Sequence, residues 1–296
     1  MPDLNTVLRE TWEQVHGQTM KDDVCKRKIL RPEDPTKRQY LTVIYSQNIE
    51  KWYLTQAIPQ FDANGKQICF LCDPEETGSG LIKTAKSDHM TFLLHPRCSA
   101  ICHYLILTDE HRPNPKVKDF RFLREFSTQC GSSVFCNMKN SGASFEPHFH
   151  AQSIFVENGL PAIKNEITGI AYTNPHLTIR RLDFPIQIME ISTIDRIGQN
   201  QVFNTICQID RPYNPLFYNG VTYVLPRIKS FPNNANFKFG AAEVFGLSFC
   251  KTLEEYNATT YDQYLDHLLD VAVESGSSAA LDFEAWFIDQ LEKVSV

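Results

Sequence analysis

Residues 140–152 read Asn-Ser-Gly-Ala-Ser-Phe-Glu-Pro-His-Phe-His-Ala-Gln and hold the densest reactive chemistry in the chain. His148, His150 and Gln152 fall at every second position, so an extended strand would place all three on one face. Such a face can hold two imidazoles and an amide beside a phosphate. The preceding Asn140-Ser-Gly-Ala-Ser144 stretch is small and hydroxyl-rich, and its backbone N–H groups and the Ser144 hydroxyl suit phosphate oxygens. A chance His-x-His-x-Gln in a chain of this composition has an expected count on the order of 0.01, so the match is informative. Cys69-Phe-Leu-Cys72 has the spacing of a metal-binding pair. Its chance count is about 0.3, so alone it says little.

The elements that must carry these residues are mostly strands. Tyr40–Tyr45, Met90–Leu94 and Cys102–Leu107 are rich in β-branched and aromatic residues, and a Pro96-Arg97 turn predicts that the last two form an antiparallel hairpin. Further strands are predicted at 133–136, 152–156, 185–191 and 221–225. Apolar residues at 120, 123 and 126 predict a helix over 118–130, stopped by Gly131. Residues 4–20 form a first helix, and the basic, proline-containing stretch 26–35 reads as a solvated connector. Near the end, Thr260-Tyr-Asp-Gln263 has the form of a capping box before one helix, and a second helix runs over about 280–291. No repeat of 20–50 residues is visible.

The chain has 296 residues, 42% hydrophobic and 22% charged, with a formal net charge of -6. This is the composition of a globular protein able to bury a core. Residues 250–296 hold 2 basic and 10 acidic side chains, so the acidity lies on the helical tail and the strand-rich body is mildly cationic. That balance argues against binding nucleic acid through bulk charge. Nine cysteines, an odd number, do not make a disulfide framework in a chain this long. No apolar run reaches 18 residues, and Met1-Pro-Asp-Leu-Asn5 lacks the pattern of a secretory leader, so the expectation is a cytoplasmic protein without a membrane span.

The Asn-Ser-Gly-Ala-Ser loop followed by His-x-His-x-Gln resembles the signature of the histidine-triad superfamily, in its transferase branch. That branch includes the galactose-1-phosphate uridylyltransferases, the GDP-L-galactose phosphorylases and the diadenosine tetraphosphate phosphorylases, which carry Gln where the hydrolases carry a third histidine. Residues 68–74 resemble the family's early Cys-x-x-Cys, 103–111 the strand ending in a zinc-binding histidine, and 213–227 the opening of a second, degenerate repeat. The likeness spans roughly residues 65–252. It implies an α+β fold of two histidine-triad-like antiparallel sheet units with flanking helices. The segments would be an N-terminal helix and connector (1–39), a catalytic unit (40–160), a degenerate unit (161–252) and C-terminal acidic helices (253–296).

The resemblance also implies a reaction. His150 would attack the α-phosphorus of a nucleotide sugar or dinucleoside polyphosphate, and phosphate or a sugar phosphate would then displace the nucleotidyl group. Neutral imidazole is a competent nucleophile near pH 7. Gln152 would donate to a non-bridging oxygen, Ser144 and the Gly142 backbone would hold phosphate oxygens, and Asn140 would hold the loop or touch the phosphate. A structural zinc would sit on Cys69, Cys72, His111 and His148. His95 and His103 are competing ligands. His103, alternating with apolar neighbours, reads instead as a core residue. A homodimer is expected from the same likeness. The alternatives are a hydrolase of the same superfamily and a non-catalytic nucleotide-binding protein. This sequence departs from the family at Phe149, where the uridylyltransferases have Pro, and at His95-Pro96, where an Asn-Pro pair is usual. Arg97, Arg180, Arg181, Arg227 and Lys229 are candidate contacts for the second substrate's phosphate.

Overall fold

The computed structural model describes residues 4–22, 25–34, 39–46, 61, 68–75, 77, 79–94, 101–142, 147–233 and 239–294. Ser144, His95 and Arg97 lie outside the described residues. The fold is α+β. Ten antiparallel strands form one sheet: β3 (Ile82–Ser87), β4 (Met90–Leu94), β5 (Ile101–Thr108), β6 (Ser133–Cys136), β7 (His150–Phe155), β8 (Ile167–Thr173), β9 (Leu177–Leu182), β10 (Met189–Thr193), β11 (Tyr213–Tyr218) and β12 (Val221–Pro226). A three-stranded sheet holds β1 (Cys25–Leu30), β2 (Leu41–Ser46) and β13 (Leu247–Cys250). The stretch expected to be a solvated connector therefore contains a strand: Cys25–Leu30 pairs along its whole length with β2.

The strand order of the large sheet is β3-β4-β5-β7-β6-β11-β12-β10-β9-β8. Read outward from its centre, it is one pattern used twice. Three strands are followed by a helix, and the last strand then inserts between the third and fourth. The helices at this position are α2 (Val117–Cys130) in the first set and α3 (Arg196–Cys207) in the second. The two sets join edge to edge through β6 and β11, where Phe135 faces Leu216. The repeat is topological, and no sequence period announces it. Residues 213–227 form the closing hairpin of the second set rather than its opening.

Alternation sorts the side chains. Tyr104, Ile106, Val134, Cys136, Ala151, Phe217 and Val224 pack against α2, α3, the N-terminal helix α1 (Leu4–Asp22) and the last helix α7 (Ser278–Lys293). The opposite face, with Phe135, Ile154, Leu216, Tyr223 and Leu225, packs against the small sheet and helices α4 (Ala241–Val244), α5 (Leu253–Ala258) and α6 (Tyr261–Val271). Gly131 stops α2 in the left-handed conformation, and Thr260 and Gln263 close the capping box of α6. Of the strand expected over 185–191, only 189 onward is ladder. Before it, Gln187 N–H donates to Val273 O at 2.8 Å, so this segment pairs with the chain after α6.

Candidate functional site

His150 and Gln152 lie on β7 opposite Leu107 and Leu105 of β5, both on the face turned from the α2 side. His148 does not share the strand. It sits in the bend before β7, and its ring joins Cys69, Cys72 and His111. Phe149 turns the other way and meets Phe120 of α2 edge-on at 6.1 Å. A bulky apolar residue between the two histidines thus anchors the entry of β7 in the helix-side core.

The His150 ring is 5% exposed. Its Nδ1 lies 2.9 Å from the His148 carbonyl, an acceptor only, so Nδ1 carries the proton. Nε2 then presents its lone pair and has no hydrogen-bond partner among the described residues. Burial holds the pKa below the ordinary histidine value, which favours the neutral ring. Gln152 Oε1 is 3.1 Å from Nε2 of His103, on the neighbouring strand β5. With His103 donating from Nε2, the Gln152 amide is turned so that its NH2 group is the end left to donate. His103 is thus buried and hydrogen-bonded, as a core residue would be, and its partner is the candidate site residue Gln152. Its spacing from Leu105 and Leu107 put it on the right face, but only the β5–β7 register brings it to Gln152. Asn137 is a further polar neighbour that no motif in the sequence singles out. It follows Cys136, the partner of Ala151, and so lies beside His150 in the sheet. Its Oδ1 accepts the Ala241 N–H at 2.6 Å.

The loop after β6 turns through two left-handed residues, Asn140 (φ 57°) and Gly142 (φ 89°). Asn140 is exposed. Gly142 is pressed against the chain at 239–240, where a Cβ would stand 2.5 Å from the Phe239 carbonyl oxygen. Its N–H donates to Ser230 Oγ at 3.0 Å. That amide is thus committed within the protein and is not turned to a phosphate, contrary to expectation.

The four expected metal ligands do come together. Their donor atoms all lie within 4.8 Å of one another and could hold a metal ion. His148 Nδ1 is 3.5 Å from Cys69 Sγ and 3.4 Å from Cys72 Sγ, and His111 Nδ1 is 3.3 Å from Cys72 Sγ. The opposite nitrogen of His148, Nε2, donates to the Thr108 carbonyl at 2.7 Å and so aims Nδ1 at the sulfurs. Burial and the adjacent Cys69 push the Cys72 thiol up to about 12, the penalty that a bound cation would relieve.

The expected phosphate cations fare differently. Arg180 pairs with Glu190, Arg181 with Glu284 and Lys229 with Asp270. Arg227 is neither a surface charge nor a free ligand: it is 3% exposed and donates only to neutral oxygens inside the protein. No described helix is long and apolar enough to cross a membrane.

The chain thus combines a sheet of two like units with a His-x-Gln strand beside a glycine loop and a Cys/His cluster. Among solved structures, yeast Ap4A phosphorylase Apa2 matches at a TM-score of 0.60 with 15% identity, over 92% of this chain and 97% of that one. The same enzyme in complex with AMP matches at 0.62 with 14% identity, over 94% of this chain and 100% of that one. In complex with Ap4A it matches at 0.62 with 13% identity, over 93% of this chain and 99% of that one. At these identities the likeness establishes the fold. No protein-family model matches the sequence, and no curated protein matches it.

Proposed function

We propose that this chain is a nucleotidyltransferase of the phosphorylase type, working through a nucleotidyl group carried on His150. The observation that carries the reading is the His150 ring: proton fixed on Nδ1 by the His148 carbonyl, lone pair on Nε2, pKa lowered by burial. Nε2 attacks the α-phosphorus, a P–N bond forms, and the P–O bond to the leaving phosphate breaks. An oxygen of phosphate or of a sugar phosphate then attacks, and the P–N bond breaks. The substrate class is a dinucleoside polyphosphate or a nucleotide sugar. The former is favoured because the whole fold matches an enzyme solved with AMP and with Ap4A. Gln152, with its amide set by His103, donates to a non-bridging oxygen, and Asn137 stands beside it. Asn140 and Ser144 are the further proposed contacts to the phosphate.

Zinc suits the Cys69, Cys72, His111 and His148 set. With zinc about 2.3 Å from sulfur and about 2.0–2.1 Å from nitrogen, a tetrahedron has S···N edges of about 3.5 Å. The three distances found are 3.3–3.5 Å. Such a closed site is structural and would fix the loops on either side of β7's entry.

Intact-mass spectrometry after mixing with diadenosine tetraphosphate or a nucleotide sugar, with and without phosphate, tests the reading. The expected result is a nucleotidyl adduct on His150 that phosphate or a sugar phosphate discharges. Turnover in buffer alone identifies a hydrolase, and turnover by His150→Ala removes the assignment.

A further inference from the structure

The second set of strands has the topology of the first without its chemistry. Phe135 pairs with Gln152 on one side and Leu216 on the other, and Leu216 pairs with Tyr223. Tyr223 therefore stands where Gln152 stands in the first set, and Val221 where His150 does. Valine has no nucleophile, and burial holds the Tyr223 hydroxyl in its protonated, weakly nucleophilic form, yet this half reaches the loop beside the site at one point.

That point is the end of the β6–β11 seam. Pro215 lies opposite Cys136, and proline has no N–H to extend the ladder. The Cys136 carbonyl is instead taken by Asn214 Nδ2 at 2.9 Å. The same nitrogen donates to the Ser141 carbonyl at 3.0 Å. Arg227 Nη1 donates to that carbonyl at 3.4 Å and to Asn214 Oδ1 at 2.7 Å. Arg227 Nη2 donates to the carbonyls of Lys229 and Phe239, both at 2.8 Å, and Nε to that of Val271 at 3.0 Å. On the other side of the same peptide, the Gly142 N–H is held by Ser230 Oγ. Both faces of the Ser141–Gly142 peptide are thus gripped by residues 214–230. Arg227 makes no ion pair among the described residues. The buried Glu243 carboxyl lies near enough to favour its charge, but burying a guanidinium is costly even so, and a position that only filled space would be better served by an apolar side chain.

We propose that Asn214 and Arg227, with Ser230, are positioning residues for the His150 reaction: through the Ser141–Gly142 peptide, the chemically silent half sets the turn at 140–142 that precedes the nucleophile. The inference rests on the nucleotidyl-histidine reading. A loop displaced by about 1 Å can cost on the order of 10²-fold in rate.

The test measures two quantities on the full chain carrying Asn214→Ala, Ser230→Ala or Arg227→Lys. One is amide hydrogen exchange of the peptide spanning 138–150 without nucleotide. The other is the rate of adduct formation on His150 with diadenosine tetraphosphate. Asp195→Ala, which removes the N-cap of α3 and its pair with His176, serves as a variant whose stability alone should fall. The expected result is faster exchange in 138–150 and adduct formation slowed about 100-fold for Asn214→Ala and less for Ser230→Ala, the mildest of the three, in folded protein. The Asn214→Ala/Ser230→Ala double variant should lose less than the product of the two, since both hold one peptide. Folded variants with wild-type exchange and wild-type adduct rates overturn the proposal. So does a rate loss matched by Asp195→Ala. If wild-type protein forms no adduct, the nucleotidyl reading falls and takes the catalytic sense of the clamp with it. The exchange measurement then reports whether the clamp exists at all.

Discussion

Replacing Gly142 with alanine puts the contact between the loop and the second half of the sheet to a quantitative test. The residue has φ 89°, a region that an L side chain occupies at a cost of about 1–3 kcal/mol. The new Cβ would also stand 2.5 Å from the Phe239 oxygen, 2.7 Å from Gly240 Cα and 3.0 Å from Gly240 N. All three are backbone atoms, so one chain must retreat by about 1 Å to restore ordinary contact near 3.5–4.0 Å. Overpacking of this kind costs about 1–3 kcal/mol more. Gly131 provides the control. It has φ 60° and nothing within 4 Å of where a methyl group would stand, so Gly131→Ala bears only the conformational cost. The expected outcome is a stability loss of about 2–6 kcal/mol for Gly142→Ala and about 1–3 kcal/mol for Gly131→Ala, measured by urea unfolding. Adduct formation on His150 should fall on the order of 10²-fold in the first and hold in the second. Equal losses of stability and rate in the two variants would refute the claim that the close approach at 239–240 sets the loop.

Three further outcomes are expected. His103→Leu removes the partner of Gln152 Oε1, a hydrogen bond worth about 1 kcal/mol, and should slow adduct formation about fivefold in wild-type protein. In a Gln152→Ala background the same change should cost nothing, which a double-mutant cycle on the rate measures. Because burial lowers the His150 pKa, the nucleophile stays neutral below the ordinary value near 6.5. The rate profile should hold through pH 6.5 and fall only at lower pH. The same depressed pKa removes stability as pH drops below 6.5, since the unfolded chain then binds the proton more readily, and thermal melts between pH 5 and 7 check the sign. Cys72→Ser should lower the zinc content of purified protein from one per chain and lower the melting temperature, and a strong chelator should do the same to wild type, as metal-site binding energies are on the order of 10 kcal/mol.

The local elements are legible because their causes are local. The period of Phe120, Leu123 and Phe126 and the stop at Gly131 define α2, and Thr260 and Gln263 mark the start of α6. The alternation of β5 and β7 shows which side chains share a face. The expected metal quartet is also found together, although only the resemblance linked His111 and His148 to the cysteines. Residues 25–30 are different. Lys26, Arg27 and Lys28 have the composition of a loop, and the segment is a strand because β2 offers a full ladder of partners. Arg227 is hidden from sequence reasoning for the same kind of reason: a lone arginine after a strand looks like a surface charge, and only assembled loops supply carbonyls to satisfy it in the interior.

What the sequence by itself determined is the chemistry available: two imidazoles and an amide at alternate positions, a glycine loop before them, and a Cys-x-x-Cys pair. These follow from residue type and spacing over a few residues. What only the tertiary structure decided is which groups meet. His103 reaches Gln152, the ring of His150 is turned by the carbonyl two residues before it, and Asn214 and Arg227 hold a loop 73 and 86 residues away in the chain. The physical reason is that strand register and the joining of two like units at β6 and β11 depend on long-range pairing, which no local pattern encodes.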